Sequence, residues 1–185
     1  MSEVKPYEQL RKDLAQRDRS LREKVVALED AAAFVRDGDS VGLGGSTLSR
    51  TPMALIWALI RAGRKNLTCC RSIISSEGDL LLASGASRHV ITSWFSQGIV
   101  WGISRVMRHW VESGAAEFEE WSHLAMGMRY RAAAMGLPFL PIRSLMGSDV
   151  ARRLSAETRE MLCPFTGERL VLVPALRPDV AIIHV

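Results

Sequence analysis

DGDSVGLGGSTLSRTP, Asp37 to Pro52, runs from a polar turn through a short apolar segment into paired glycines and then to a proline before MALIWALI, Met53 to Ile60. Ser40–Leu43 reads as a short buried strand, and Pro52 suits the first turn of the helix that follows. Ser49 or Thr51 is placed to cap that helix. Gly44 and Gly45 permit close approach or positive φ between the two elements. Such a turn presents backbone N–H groups beside a helix N-terminus, and Arg50 adds a full positive charge, so an anionic group can dock there. The spacing is neither the dinucleotide-binding nor the P-loop pattern, since no Lys-Ser/Thr pair and no third correctly placed glycine follow.

Outward from this stretch the pattern repeats. Apolar segments at Leu67–Ile74, His89–Phe95, Ala116–Trp121 and Pro138–Ile142 follow Ser40–Leu43, separated by helical stretches, with starts about 25 residues apart, the length of a strand, a helix and two loops. The rhythm predicts an α/β fold with a mostly parallel open sheet and helices on both faces. Gly63 and Gly136 read as helix stops. Between Gly147 and Gly167 the periodicity fades, which predicts a long connection holding a short helix.

Upstream, Leu14, Leu21, Leu28 and Val35 stand at seven-residue steps, but Arg11 and Asp18 occupy positions a coiled coil would keep apolar. Two amphipathic helices are expected instead, the second starting near Glu29. We divide the chain into an N-terminal helical extension over 1–28 and an α/β domain over 29–185. At the other end, RLVLVPALRPDVAIIHV gives two apolar runs around a Pro-containing turn and stops on Val185 as a buried strand. We expect the natural chain to continue past Val185, or a second chain to complete the sheet.

The 185 residues are 48% hydrophobic with a formal net charge of +4, enough for one sizeable core, and the charges are interleaved rather than clustered. No basic stripe points to nucleic acid. The longest apolar run, Met53–Ile60, is far short of the roughly 20 residues that span a bilayer, and MSEVKPYEQLRKD offers no signal-peptide core. A cytoplasmic protein without membrane or nucleic-acid partners is expected. Cys69, Cys70 and Cys163 have neither disulfide nor zinc spacing and read as thiols, and the four histidines form no metal triad.

Asp37, Gly38, Gly44, Gly45 and Pro52 resemble the N-terminal signature of family I coenzyme A transferases: an aspartate-glycine turn, an apolar strand, a double glycine and a proline. Gly42 interrupts the apolar triplet, Ser46 replaces an aromatic, and Arg50 stands where many members have glycine. These departures resemble the glutaconate CoA-transferase alpha-subunit branch. EGDLLLASGASRHV (Glu77–Val90), the long segment Phe118–Val150 with its AAAMGLPFLP core, and VLVPALRPDVAIIHV carry the resemblance from about Glu29 to Val185.

The resemblance implies CoA-transferase chemistry (EC 2.8.3.-). A glutamate attacks an acyl-CoA, CoA passes to the enzyme as a glutamyl thioester, and the thioester then passes to an acceptor acid. The nucleophile would lie on a beta subunit, making this chain half of an α2β2 or higher heteromer, with no permanently bound cofactor and CoA thioester as substrate. Gly44, Gly45, Ser46 and Arg50 would bind an anionic part of substrate or CoA, and Ser75, Ser76, Ser122 and His123 would line the acyl side. Within this chain, Glu77 and His123 are the catalytic candidates. Ser76-Glu77-Gly78 resembles the beta-subunit nucleophile motif without its asparagine. At the position of His123, relatives that hydrolyse ring-opened steroid CoA thioesters have a glutamate. The alternatives are an acyl-CoA hydrolase subunit of the ring-opened steroid-CoA type, or a non-catalytic acyl-CoA-binding or assembly module.

Overall fold

The computed structural model describes residues 4–185. They fall into two compact units: one holds the N-terminal stretch through Glu23 with Trp121–Arg177, the other Lys24–Glu120 with Pro178–Val185.

The two expected N-terminal helices are present but short, as α1 (Tyr7–Ala15) and α2 (Leu28–Ala33). Residues 16–27 carry no helix. Asp18 explains part of this, because its carboxylate accepts the Ser20 N–H at 2.9 Å and so offers the backbone a turn in place of a helical ladder.

The Lys24–Glu120 unit is built on a five-stranded, all-parallel sheet in the order β10-β1-β2-β4-β6, where β1 is Ser40–Leu43, β2 Leu67–Cys70, β4 Ser87–Thr92, β6 Glu117–Glu120 and β10 Val180–Ile182. In register, Val180 faces Val41, Val41 faces Cys69, Cys69 faces Val90 and Val90 faces Phe118, an apolar row across the sheet. Helices α3 (Met53–Arg61), α4 (Ser76–Ala83) and α5 (Arg105–Glu112) are the crossovers. Ile56, Leu59, Leu81 and Leu82 from α3 and α4 join Val41, Leu67 and Val90 in one buried cluster. Burial of this area from water is the main force closing the unit.

Two expected strands are each divided. Leu67–Ile74 becomes β2 and β3 (Ile73–Ile74), and the next segment becomes β4 and β5 (Trp94–Phe95), with β3 and β5 pairing as a separate parallel ribbon. The Ser72 carbonyl makes the break: it accepts the N–H groups of Ser93 and Trp94, both at 3.1 Å, and the Thr92 hydroxyl, also at 3.1 Å.

The unit containing Trp121–Arg177 departs from the parallel expectation. Here β7 (Phe139–Ile142), β8 (Arg159–Leu162) and β9 (Arg169–Pro174) form an antiparallel sheet in the order β7-β9-β8, accompanied by α6 (His123–Ala134) and α7 (Asp149–Arg153). The connection Cys163–Glu168 is only a tight turn, closed by Cys163 N–H to Glu168 O at 2.7 Å and Gly167 N–H to Cys163 O at 2.9 Å. A turn of that length can join only antiparallel neighbours. The expected long connection therefore holds both a short helix and a strand. Trp121, Met126, Leu145, Val173 and Leu176 are buried in this unit, and the buried Arg129 guanidinium stacks 4.1 Å from the centroid of the Trp121 ring. In α1, Tyr7 lies 3.6 Å from where a side chain on Gly136 would begin.

Candidate functional site

Strands β1 and β2 both end on the same side of the parallel sheet, the edge where α/β proteins gather ligand sites. From β1 the chain passes through Gly44, whose N–H still bonds Ile182 O at 2.8 Å, and then turns sharply. Gly45 adopts φ +110, and a Cβ on it would lie 2.1 Å from the Arg50 carbonyl oxygen, so only glycine fits. Ser46 and Ser49 close a tight loop by exchanging N–H···O bonds of 2.9 and 2.7 Å. Thr47 and Arg50 both sit in the left-handed region, at φ 47 and 53. Positive φ at a β-branched residue is strained, and such strain persists only where surrounding bonds hold it.

Those bonds converge on the Thr47 carbonyl. It accepts the Thr51 hydroxyl at 3.0 Å and Arg71 Nη2 at 3.2 Å. The expected side-chain cap of α3 by Ser49 or Thr51 is therefore corrected: the N-cap position is Pro52, no side chain caps it, and the Thr51 hydroxyl is spent on Thr47 instead. Gly45 and Ser46 through Arg50 are exposed. Among the described residues, the N–H groups of Gly45, Thr47, Leu48 and Arg50 meet no protein acceptor. Four N–H groups without a protein acceptor on exposed residues, the Arg50 guanidinium and the start of α3 concentrate positive potential at this turn.

Behind the turn, Arg71 follows β2 directly and is 4% exposed, and Glu77 in the first turn of α4 is fully buried. They form a short ion pair through Arg71 Nη1 and Glu77 Oε1, and the same oxygen accepts the Ser75 N–H at 3.2 Å. Glu77 Oε2 and Ser75 Oγ are buried without a protein partner. Gly78 lets α4 sit this deep, since a Cβ there would lie 2.2 Å from Ile74 Cγ2 and 2.7 Å from Phe95 Cζ.

Ser76 points away from this pair and donates to Gln97 Oε1 at 2.9 Å. Gln97 Nε2 and the Ser104 hydroxyl both bond Asp79, tying α4 to the start of α5. Burial pushes the Asp79 carboxyl above its ordinary value of 3.8, against the opposing pull of Ser104 and Gln97. The loop between them exposes Ile99, Val100 and Trp101.

Ser122 and His123 belong to the other unit. Ser122 caps α6 by accepting the Ala125 N–H at 3.1 Å, and His123 is the exposed first residue of that helix. Thus Gly44, Gly45, Ser46 and Arg50 lie together in one turn, Ser75, Ser76 and Glu77 lie on the segment behind it, and Ser122 and His123 stand on a separate element.

A surface cavity of about 350 Å³ opens among Asn66, Arg88, His89 and Glu117. It lies where β2, β4 and β6 begin, at the opposite sheet edge, and has no part in the turn. Cys69 and Cys70 are buried, and burial pushes the Cys69 thiol up, making it a poor nucleophile. Among the described residues no group of three or more His, Cys, Asp or Glu is arranged to hold a metal ion, and no helix is long and apolar enough to cross a membrane.

The residue that sequence reasoning missed is Arg71. It is a charge at the end of the apolar run Leu67–Cys70, six positions before Glu77, and that placement was the available signal.

A family model described as Coenzyme A transferase matches residues 25–185. The chain is 38% identical over 167 residues to the A-type subunit of 3-oxoadipate CoA-transferase from Pseudomonas knackmussii, covering 89% of this chain and 58% of that protein. It is 35% identical over 177 residues to the A-type subunit of glutaconate CoA-transferase from Acidaminococcus fermentans, covering 87% and 55%. The crystal structure of that glutaconate enzyme superposes with a TM-score of 0.80 at 32% identity, over 87% of this chain and 56% of the other. A cholesterol ring-cleaving hydrolase IpdA subunit of Rhodococcus jostii is 33% identical over 181 residues, covering 89% and 57%. The chain thus spans little more than half the length of these relatives.

Proposed function

The chain belongs to the coenzyme A transferase family, and from that premise we propose that it is the A-type half of a heteromeric CoA-transferase whose attacking glutamate stands on a B-type partner. The observation that carries this reading is the state of Glu77. The carboxylate in this chain that most resembles a nucleophile is fully buried and ion-paired with Arg71, whereas the turn in front of it is exposed, carries N–H groups without a protein acceptor and holds no carboxylate. A surface of donors without a free attacking group suits a binding and stabilising role.

In this mechanism the partner's carboxylate oxygen adds to the acyl-CoA carbonyl, and the CoA thiolate leaves as an anhydride forms. The thiolate then attacks the glutamyl carbonyl of that anhydride, releasing the first acid and leaving CoA on the enzyme. The acceptor carboxylate takes CoA by the same steps in reverse. Each addition places negative charge on a carbonyl oxygen. The N–H groups of Gly45, Thr47, Leu48 and Arg50, fixed before substrate arrives, stabilise such charge or a substrate carboxylate without reorganisation. Gly44 and Gly45 provide the close approach, Ser46 and Arg50 hold an anionic portion of substrate or CoA, and Ser75, Ser76, Ser122 and His123 contribute to the acyl side. CoA thioester is substrate here, not a resident cofactor. The 1–28 extension and 29–185 domain remain our division of the chain.

The test is to co-express the full-length protein with its B-type partner, supply acyl-CoA and acceptor acid, and trap the covalent CoA adduct for mass spectrometry. The adduct is expected on the partner chain, with no transfer by either chain alone. An adduct on Glu77, or transfer by this chain alone that Glu77→Gln abolishes, overturns the assignment. Release of free CoA without an acceptor acid assigns the hydrolase activity instead, and binding without turnover assigns a binding module.

A further inference from the structure

We propose that the buried Arg71–Glu77 pair is a positioning device: it holds the Thr47 carbonyl, and through it the unpaired N–H groups of the Gly45–Arg50 turn, in a conformation the chain would not otherwise keep. This rests on reading that turn as the anion-binding surface.

The geometry is a relay of three groups. Glu77 Oε1 engages Arg71 Nη1, Arg71 Nη2 reaches the Thr47 carbonyl at 3.2 Å, and Thr47 is one of two non-glycine residues of the turn at positive φ. A guanidinium suits this task because its planar fork serves two acceptors in fixed directions, which a lysine ammonium on a flexible stem does not. Gly45 completes the fit, since the position of its missing Cβ is 3.1 Å from Arg71 Nη2. Glu77 is itself fixed by the Ser75 N–H and by α4, which Gly78 seats against Ile74 and Phe95.

The pair is a poor way to stabilise a core. Two charges have been removed from water, Glu77 Oε2 finds no protein donor, and the neighbouring Ser75 Oγ has none either. Apolar side chains of similar volume would commonly serve stability as well or better. What they would not supply is a directed donor to the carbonyl of a strained residue. The arrangement makes sense as fixed geometry for the turn, and Arg71 and Glu77 act through that turn without touching substrate.

The experiment uses the full-length protein in complex with its partner and compares wild type with Arg71→Lys and Glu77→Gln. Arg71→Lys keeps the charge opposite Glu77 but cannot reach both acceptors. We expect amide hydrogen exchange at Ser46 and Ser49, whose N–H groups bond across the turn, to accelerate tenfold or more, with β4 and α3 unchanged. We also expect KM for acyl-CoA to rise about tenfold with kcat changed less than threefold. Glu77→Gln keeps the shape and an acceptor for Arg71, and it is expected to give a smaller shift in the same direction. If Arg71→Lys does not assemble, Glu77→Gln decides. Wild-type exchange in the turn in the assembled variants overturns the proposal, as does acceleration spread evenly over the sheet, the mark of a merely structural pair. Should the wild-type complex show no transfer while exchange still quickens only in the turn, the positioning role stands and the transferase reading falls.

Discussion

Asp179 and Ser40 lie 139 residues apart in the chain and are joined by four hydrogen bonds. One Asp179 carboxylate oxygen accepts both the Ser40 N–H at 2.9 Å and the Ser40 hydroxyl at 2.6 Å, while the Asp179 N–H donates back to Ser40 Oγ at 3.0 Å and to the Ser40 carbonyl at 2.9 Å. This clasp sets the register of β10 on β1 at the strand entrances. Asp179→Ala leaves the buried Ser40 without its acceptor, so we expect a loss of about 1–3 kcal/mol, read as a lower urea midpoint at unchanged slope. Asp179→Asn, which retains an acceptor, should lose less.

Two glycines at positive φ provide a contrast. Gly45→Ala places a methyl group against the Arg50 carbonyl, whereas at Gly63, φ +69, nothing lies within 4 Å. Gly63→Ala should cost only the left-handed penalty, about 1 kcal/mol. Gly45→Ala should cost more, and should raise Kd for acyl-CoA in calorimetry on the assembled enzyme where Gly63→Ala leaves it unchanged.

Helical glycines divide the same way. Gly78→Ala drives a methyl into Ile74 and Phe95 and is expected to destabilise by about 1–3 kcal/mol. Gly127 in α6 has open space around its missing Cβ, so Gly127→Ala should stabilise by about 0.5–1 kcal/mol through helix propensity. Thermal unfolding of the two variants side by side gives opposite shifts in Tm.

Asp79 carries a pH signature. Its folded carboxyl titrates above the ordinary value of 3.8 because burial outweighs the hydrogen bonds from Ser104, Gln97 and the Met107 backbone. The folded state therefore holds the proton more tightly than the unfolded chain does. That contribution is complete below the unfolded value and is lost as pH rises through the folded one. Asp79→Asn removes the titration, so its stability relative to wild type should improve from acid towards neutral pH in urea unfolding at successive pH values. A flat difference would show that Asp79 titrates alike in both states.

Much of the sheet was legible because Val41, Cys69, Val90 and Phe118 mark the centres of buried parallel strands, and such strands read as short apolar runs. The glycine turn was legible because Gly44, Gly45 and Pro52 have few other uses in that order. β8 was not, since Arg159, Glu160 and Leu162 are exposed and leave no apolar alternation. The division of two strands at Ser72 and Ser93 arises from carbonyl geometry that no side-chain pattern encodes. Arg71 was missed for a similar reason: its meaning depends on Thr47 and Glu77, partners on either side of it that come together only on folding.

β6 is an outer strand of the parallel sheet, and its sequence is Glu117-Phe118-Glu119-Glu120. Only Phe118 is apolar, and it faces Val90 in register. Carboxylates along a sheet margin repel any second strand approaching in the same fashion, a common natural guard against fibrous self-association. Neutralising Glu117, whose side chain is exposed, would weaken that guard at the margin, and the first symptom to look for is turbidity on concentration rather than a lower melting point.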